Sequence, residues 1–302
     1  VSGLKVLVTG ATGFVGRHLV AALLARGHSV RAVARDARKA QALPWIDQVE
    51  FVAADVHAED LDVGALSAGI DVLAHLAWPG LPNYQALFHF EHNLFADYRF
   101  IKQMVEAGVS QVLVTGTCFE YGMQSGPLGE TAPPQPGNPY GLAKNTLRLF
   151  LETLRQQLPF NLQWARLFYL YGEGQNPNSL LASLDRAIDA GAERFDMSAG
   201  EQLRDYLPIE VAAGYLARLL EQRGFYRGGQ LCQRPTYSGQ DTGRTAPARA
   251  WCVDCPEPGA LWLSRVTSPW RSGAWRIGCS SCWGGQRWRM SVIGQVVCRC
   301  AG

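Results

Sequence analysis

Short, continuously apolar runs alternate with longer stretches of helical spacing along residues 1–226. KVLVTG is a short apolar run that stops at glycine. FVGRHLVAALLARG then spaces Val15, Leu19, Ala22 and Leu23 along one helical face and closes on Gly27. The same reading makes SVRAVA, VEFVAAD, DVLAHLA and QVLVTGT the second to fifth strands, with helical stretches such as NLFADYRFIKQMVEAG between them. A loop rich in Gly and Pro, GMQSGPLGETAPPQPGNP, leads into a helix from about Tyr140 to Gln157 and then the strand NLQWARLF. Strands that are apolar throughout and alternate with helices build a parallel, doubly wound α/β sheet of the Rossmann kind. No internal repeat interrupts the pattern.

The turn after the first strand carries Gly10, Gly13 and Gly16 in TGATGFVG, with Phe14 opening the helix. Backbone without side chains turns tightly there and lets a pyrophosphate approach the positive end of the helix dipole. A three-glycine pattern alone also fits an ordinary strand-to-helix turn; the strand before it, the helix after it and its place in the chain make it a dinucleotide cradle. An acidic residue at the end of the second strand would take the ribose hydroxyls of NAD. Ala34 ends that strand instead, Arg35 follows, and Arg38 and Lys39 lie one turn on, so NADP(H) is expected in preference to NAD(H). Asp36 is the one acid within reach of a ribose. By topology Asp55 and Val56 sit beside the adenine, and the segment from His75 to Trp78, with Leu76 and Ala77 at its centre, lines the cofactor.

Tyr140 and Lys144 stand four apart at the start of a helix and share a face. An ammonium beside a phenol favours phenolate, which brings a proton donor of intrinsic pKa about 10 towards working pH. Thr117 closes the fifth strand and can hold the same substrate oxygen. All three fall at the carboxyl edge of the sheet, where α/β sheets bind ligands. These are the candidate catalytic residues.

TGATGFVG, TGTCFEYG, YGLAK and RDYLPIEVAA together resemble the extended short-chain dehydrogenase/reductase family, the NAD-dependent epimerase/dehydratase group, over roughly residues 4–226. The resemblance implies a Thr117, Tyr140, Lys144 catalytic set, glycines at Gly10, Gly13 and Gly16, and family positions at Glu130 and Arg166. Most relatives act on nucleotide-linked sugars. The family's diphosphate-binding arginine falls on Arg204, and the loop from Gly172 to Ser179, which includes Gln175, borders the substrate. A homodimer through two helices is likewise implied. The activity so implied is reduction of a 4-keto nucleotide sugar, with 4-epimerisation as the alternative and cofactor binding without turnover as a reading of another class.

Three departures from the family matter. Related 4,6-dehydratases carry an acid pair just after the catalytic threonine, where this chain has Cys118 and Phe119, which disfavours dehydration. Glu120 comes one position later and by strand alternation points to the other face. Tyr169 stands where relatives usually have asparagine. Cys118 is expected to be a small buried residue, not an acid. His89 and His92 flank a helix start, but no carboxylate or cysteine stands at ligand spacing, so no metal is expected.

A net charge of +2 with no run of like charges argues against a nucleic-acid partner. No apolar run reaches the roughly 18 residues of a membrane span, and no basic-then-apolar leader opens the chain, so a cytoplasmic protein is expected.

Composition changes sharply at Arg227. The remainder holds seven of the eight cysteines, six of the nine tryptophans, ten arginines and no lysine, with little periodicity and no evident strands. Cys252, Cys255, Cys279 and Cys282 have zinc-ribbon spacing. A change of reading frame accounts for more: back-translated with suitable synonymous codons and moved by one base, Gly229 to Ser238 reads VNCASGRPTV, a strand and turn like the family's. The expected organisation is therefore a dinucleotide-binding domain at 1–170, a substrate-loop region with returning Rossmann elements at 171–226, and an anomalous, frame-shifted tail at 227–302. The smaller C-terminal substrate lobe would then be incomplete.

Overall fold

The computed structural model describes residues 3–124, 128–192, 194–196 and 205–222, together with five strands between residues 227 and 298. Strands and helices alternate as β1 (Lys5–Thr9), α1 (Phe14–Ala25), β2 (Ser29–Ala34), α2 (Ala37–Gln41), β3 (Glu50–Ala53), α3 (Val63–Ser67), β4 (Val72–His75), α4 (Leu94–Glu106), β5 (Gln111–Thr117), α5 (Pro139–Gln157) and β6 (Asn161–Leu167). There follow β7 (Tyr169–Tyr171), α6 (Leu180–Asp189), β8 (Arg194–Asp196), β9 (Tyr206–Pro208), α7 (Ile209–Glu221) and β10 (Arg227–Leu231). Seven strands form one sheet in the order β10-β6-β5-β4-β1-β2-β3. Every pairing in it is parallel. Strand order reverses between β1 and β4, which opens a crevice at their carboxyl ends.

Both faces of the sheet are buried, which is why its strands are apolar at consecutive positions. Val6 and Val8 pack with Leu19, Val20 and Leu23 of α1 and Leu216 and Leu220 of α7. Leu7, between them, joins the opposite core with Ile101 and Met104 of α4 and Leu147 and Leu151 of α5. Leu19 and Leu23 thus sit on the inner face of α1, while Val15 and Ala22 are only partly covered. Gly16 and Val20 take the remaining inner positions. At the far end, Arg26 donates from Nε and Nη2 to the two Glu221 oxygens at 2.7 and 2.5 Å, and His28 Nε2 lies 2.9 Å from Glu221. This clamp ties α7 to the turn that leaves α1.

By backbone contacts the chain divides into two compact units, residues 1–168 with 209–231, and residues 169–208 with 232–302. The first contains the whole parallel sheet, so α7 and β10 return to the unit that α1 began. In the second, β7 pairs in parallel with β9, and Ser179 caps α6 by accepting from the Ala182 amide. β11 (Trp262–Arg265) pairs antiparallel with β12 (Trp275–Gly278), and β13 (Trp288–Ser291) pairs with β14 (Gln295–Cys298), which also pairs with β8. These strands correct the expectation of a tail without them: segments of four residues rich in Trp, Val and Ile have β propensity without any longer period to reveal it. Cys252, Cys255, Cys279 and Cys282 lie outside the described residues. Among the described residues, no helix is long and apolar enough to cross a membrane.

Candidate active site

The glycine turn sits at the carboxyl end of β1. Gly10 has φ +66°, and a Cβ there would come within 2.9 Å of the Ala77 amide nitrogen, so the turn and the segment after β4 touch through bare backbone. A Cβ on Gly16 would overlap the Gly10 carbonyl, so only glycine lets α1 start so close to its strand. Gly13 precedes α1, no side chain caps that helix, and no acid stands in its first turn. Its first amides and positive dipole end are thus left to an anion.

On the next strands, Arg35 is exposed and lies 3.8 Å from Asp55. Asp36 caps α2, with Oδ1 accepting from the Arg38 and Lys39 amides. Val56 is buried, and Leu76 and Ala77 are half-buried with both amides bonded to Thr9 Oγ1 at 3.1 and 3.2 Å.

Thr117 ends β5 in extended conformation, its hydroxyl accepts from the Phe119 amide, and it lies near enough to the Tyr140 phenol to draw its pKa down. Gly141 makes that meeting possible, since a Cβ there would approach Phe119 O to 2.5 Å and push α5 away. Tyr140 stands among the rings of Trp78, Tyr84, His89 and Phe119, with centroids 5.3–6.1 Å away. Its backbone amide donates to Tyr84 O. Burial pushes the Tyr140 phenol well above its ordinary value, against the downward pull of Thr117. Burial also pulls the Lys144 ammonium down to about 8, against the attraction of Asp97 and Glu120.

Lys144 Nζ rests over the Trp78 ring at 3.9 Å and makes no hydrogen bond. A buried ammonium without an acceptor is costly, and paired ribose hydroxyls are acceptors of the kind it lacks. The residues therefore fit a dinucleotide: Gly10, Gly13 and the start of α1 for the pyrophosphate, and Lys144 for a ribose.

Glu120 departs from expectation. β5 stops at Thr117, and Cys118–Tyr121 form a 3-10 turn, so strand alternation does not apply. Glu120 is fully buried. Its Oε1 accepts from the Thr117 amide at 2.8 Å, and its two oxygens accept from Trp164 Nε1 at 3.0 and 3.2 Å. Arg166 Nε donates to Oε2 at 2.7 Å. Glu120 is thus a buried carboxyl group that holds the backbone of Thr117. Sequence reasoning missed this role, and Gly116 was its available signal, because a side chain there would collide with Glu120 and Trp164. Cys118 is half-buried, not buried as expected, because the turn lifts it off the strand.

Trp78 belongs to the segment expected to line the cofactor, but its joining with Tyr84 and His89 in an aromatic wall was not anticipated. His89 is buried, with Nδ1 accepting from Trp78 Nε1 at 3.0 Å and Nε2 lying 2.8 Å from Asn83 O. Both ring nitrogens are thereby engaged, and His92 is exposed. Among the described residues, no group of three or more metal-ligating side chains forms. Glu130 is half-buried. In the second unit, Gln175 is half-buried and its Oε1 accepts from Ser179 Oγ at 3.4 Å, and Tyr169 is half-buried. Arg204 lies outside the described residues.

Residues 6–227 match the NAD dependent epimerase/dehydratase family. The match ends where the composition changes. The chain is 32% identical over 209 residues to dTDP-6-deoxy-L-talose 4-dehydrogenase (NAD(+)) of Aggregatibacter actinomycetemcomitans, covering 68% of this chain and 76% of that one. It is 29% identical to a UDP-glucose 4-epimerase of Halalkalibacterium halodurans over 58% of this chain and 53% of that one. In fold it resembles UDP-N-acetylglucosamine 4-epimerase from Methanobrevibacter ruminantium M1, solved with UDP-N-acetylmuramic acid, with a TM-score of 0.69, 22% identity and 77% of each chain covered. A glycine turn at the β1/β4 switch point, a Thr-Tyr-Lys set across from it and a family match over most of the chain lead to one conclusion: this protein belongs to the NAD dependent epimerase/dehydratase family.

Proposed function

We propose that this chain moves hydride and proton at C4 of a nucleotide-linked sugar, in the direction of 4-keto reduction. The observation that carries the reading is the buried grouping of Thr117, Tyr140 and Lys144, in which Thr117 draws the Tyr140 phenol down and Lys144 stands one helical turn along α5. Thr117 orients the substrate oxygen, and Tyr140 gives that oxygen its proton as the carbonyl becomes a hydroxyl. The charge of Lys144 stabilises the phenolate left behind. A bound nicotinamide dinucleotide supplies the hydride. The 4-dehydrogenase relative is named for chemistry at the same carbon. Dehydration remains disfavoured, because the two positions after Thr117 hold Cys118 and Phe119, and Glu120 is committed to Thr117, Trp164 and Arg166. The second reading is 4-epimerisation, favoured by the UDP-glucose 4-epimerase relative; it needs the same residues and a re-reduction from the other face.

The cofactor is proposed to be NADP(H). An exposed Arg35 and the engagement of Asp36 as a helix cap suit a 2′-phosphate, while the relative named for NAD(+) is the argument for NAD(H). A homodimer is also proposed, through the apolar face that α4 and α5 expose at Phe95, Leu149 and Phe150, where Tyr98 packs edge-on to Phe150.

Tyr140→Phe removes the proton and keeps the ring, so kcat with a 4-keto nucleotide sugar should fall by roughly 10²–10⁴ with dinucleotide affinity nearly intact. Unchanged turnover removes Tyr140 from the mechanism, and tightly retained NAD with interconversion of C4 epimers selects the second reading. Arg35→Ala should raise the Kd for NADPH about tenfold more than that for NADH; equal losses assign NAD(H). Because Lys144 is held near 8 when folded and returns to about 10.4 when unfolded, the unfolded chain binds more protons between those values. Stability should rise with pH across that window, and Lys144→Met should abolish the rise in urea titrations. Phe150→Asp should convert a dimer to monomers in sedimentation velocity, and a monomeric wild type would refute the proposed interface.

A further inference from the structure

Asp97 lies on the inner side of α4 and is fully buried, and both histidines that touch it come from the carboxyl edge of the sheet. His57 Nε2, just after β3, is 2.6 Å from Asp97 Oδ1, and His75 Nε2, the last residue of β4, is 3.2 Å from the same oxygen. The other nitrogen of His75 is 3.0 Å from Thr9 Oγ1, across the β1/β4 pairing in which Thr9 and His75 are partners. Thr9 Oγ1 in turn accepts the amides of Leu76 and Ala77.

The proton positions follow from counting. A hydroxyl has one proton and two lone pairs. Leu76 and Ala77 occupy both lone pairs, so the Thr9 proton goes to His75 Nδ1. His75 must then carry its own proton on Nε2, which lies 3.2 Å from Asp97 Oδ1, close enough for electrostatic attraction but outside hydrogen-bond geometry. An anion at that place enforces this tautomer. With the proton on Nδ1 instead, His75 would donate to Thr9 and compete with the two amides. At the other end, the His57 amide donates to Asp55 Oδ1 at 3.0 Å and Arg99 Nη2 donates to His57 O at 2.9 Å, so the turn after β3 is pinned to the same anion. Desolvation opposes the charge on Asp97. His75, His57 and Lys144 outweigh it and hold the carboxyl at about 2.

We propose that Asp97 is a positioning residue for the dinucleotide: through His75 and Thr9 it fixes the Leu76–Ala77 backbone against the glycine turn, and through His57 it fixes the Asp55–His57 turn. It acts on two stretches of the cofactor cradle without touching cofactor or substrate. The inference rests on the dinucleotide reading of the site. A burial role alone would not require it, since an apolar side chain would fill the same space on α4 without the cost of a buried charge.

The test is dinucleotide affinity, by fluorescence titration with NADH and NADPH, beside thermal melting of each variant. Asp97→Asn and Thr9→Val should each raise the Kd by about tenfold to a hundredfold, the range for a lost hydrogen bond involving a charged group. Thr9→Ser, which restores the hydroxyl, should bind as wild type does. Because the two side chains act along one path, the double variant Thr9→Val, Asp97→Asn should bind no worse than the weaker single variant. Where Asp97→Asn fails to fold, the contrast between Thr9→Val and Thr9→Ser decides. Unchanged affinity in Thr9→Val and Asp97→Asn, or losses that multiply in the double variant, would overturn the proposal while leaving the dinucleotide reading intact. A wild-type chain that binds neither NADH nor NADPH removes that reading and this inference with it.

Discussion

The pairing of β1 with β4 is the constraint from which the site follows. β1 has β2 on one side and β4 on the other, so the chain reverses its direction of travel across the sheet there. The loops that leave the two carboxyl ends diverge and open a crevice between them. The glycine turn fills one side, and the segment from Leu76 to Trp78 forms the other. The next strand out, β5, delivers Thr117. Tyr140 joins it only because Gly141 lets α5 approach the turn after that strand.

Electrostatics in the site are set by exclusion of water more than by pairing. Burial raises the Tyr140 phenol and lowers the Lys144 ammonium, so each is pushed towards its neutral form. The buried carboxylates Asp97 and Glu120 counter this at Lys144 and keep a positive charge available behind the tyrosine. Both are in turn held by cationic or hydrogen-bonding neighbours, Glu120 by Arg166 and Trp164, Asp97 by two histidines. The interior beside the site is therefore a set of fixed charges, which act on a reaction without reorganising.

The sheet was legible because each central strand is buried on both faces and each helix on one, so β2 and β5 begin and end where their apolar runs do. Gly10, Gly16, Thr117 and Tyr140 were legible because their spacing to strand ends is fixed by that geometry. Glu120 was misread because a strand's period was extended through a turn that nothing apolar marks. Tyr84 and His89, which join Trp78 in the aromatic wall, were missed because they belong to a segment with neither period, held by side-chain contacts to α5 instead of by backbone repetition. Asp97 is invisible to pattern for a related reason: its partners come from two strand ends far away in sequence, and nothing local distinguishes it from a solvated acid on a helix.

The clamp between Glu221 and the pair Arg26 and His28 bears on the order in which this protein becomes a protein. α1 emerges well before α7 during synthesis, yet the apolar side that it shares with β1 is completed by Leu216 and Leu220 of α7. Those residues emerge only after the entire segment 169–208 of the other unit has been made. Until then a nascent chain carries an open hydrophobic face beside the glycine turn, the kind of surface that favours aggregation. Closing the first unit thus waits on a helix near residue 220, which follows the segments that supply most of the candidate site.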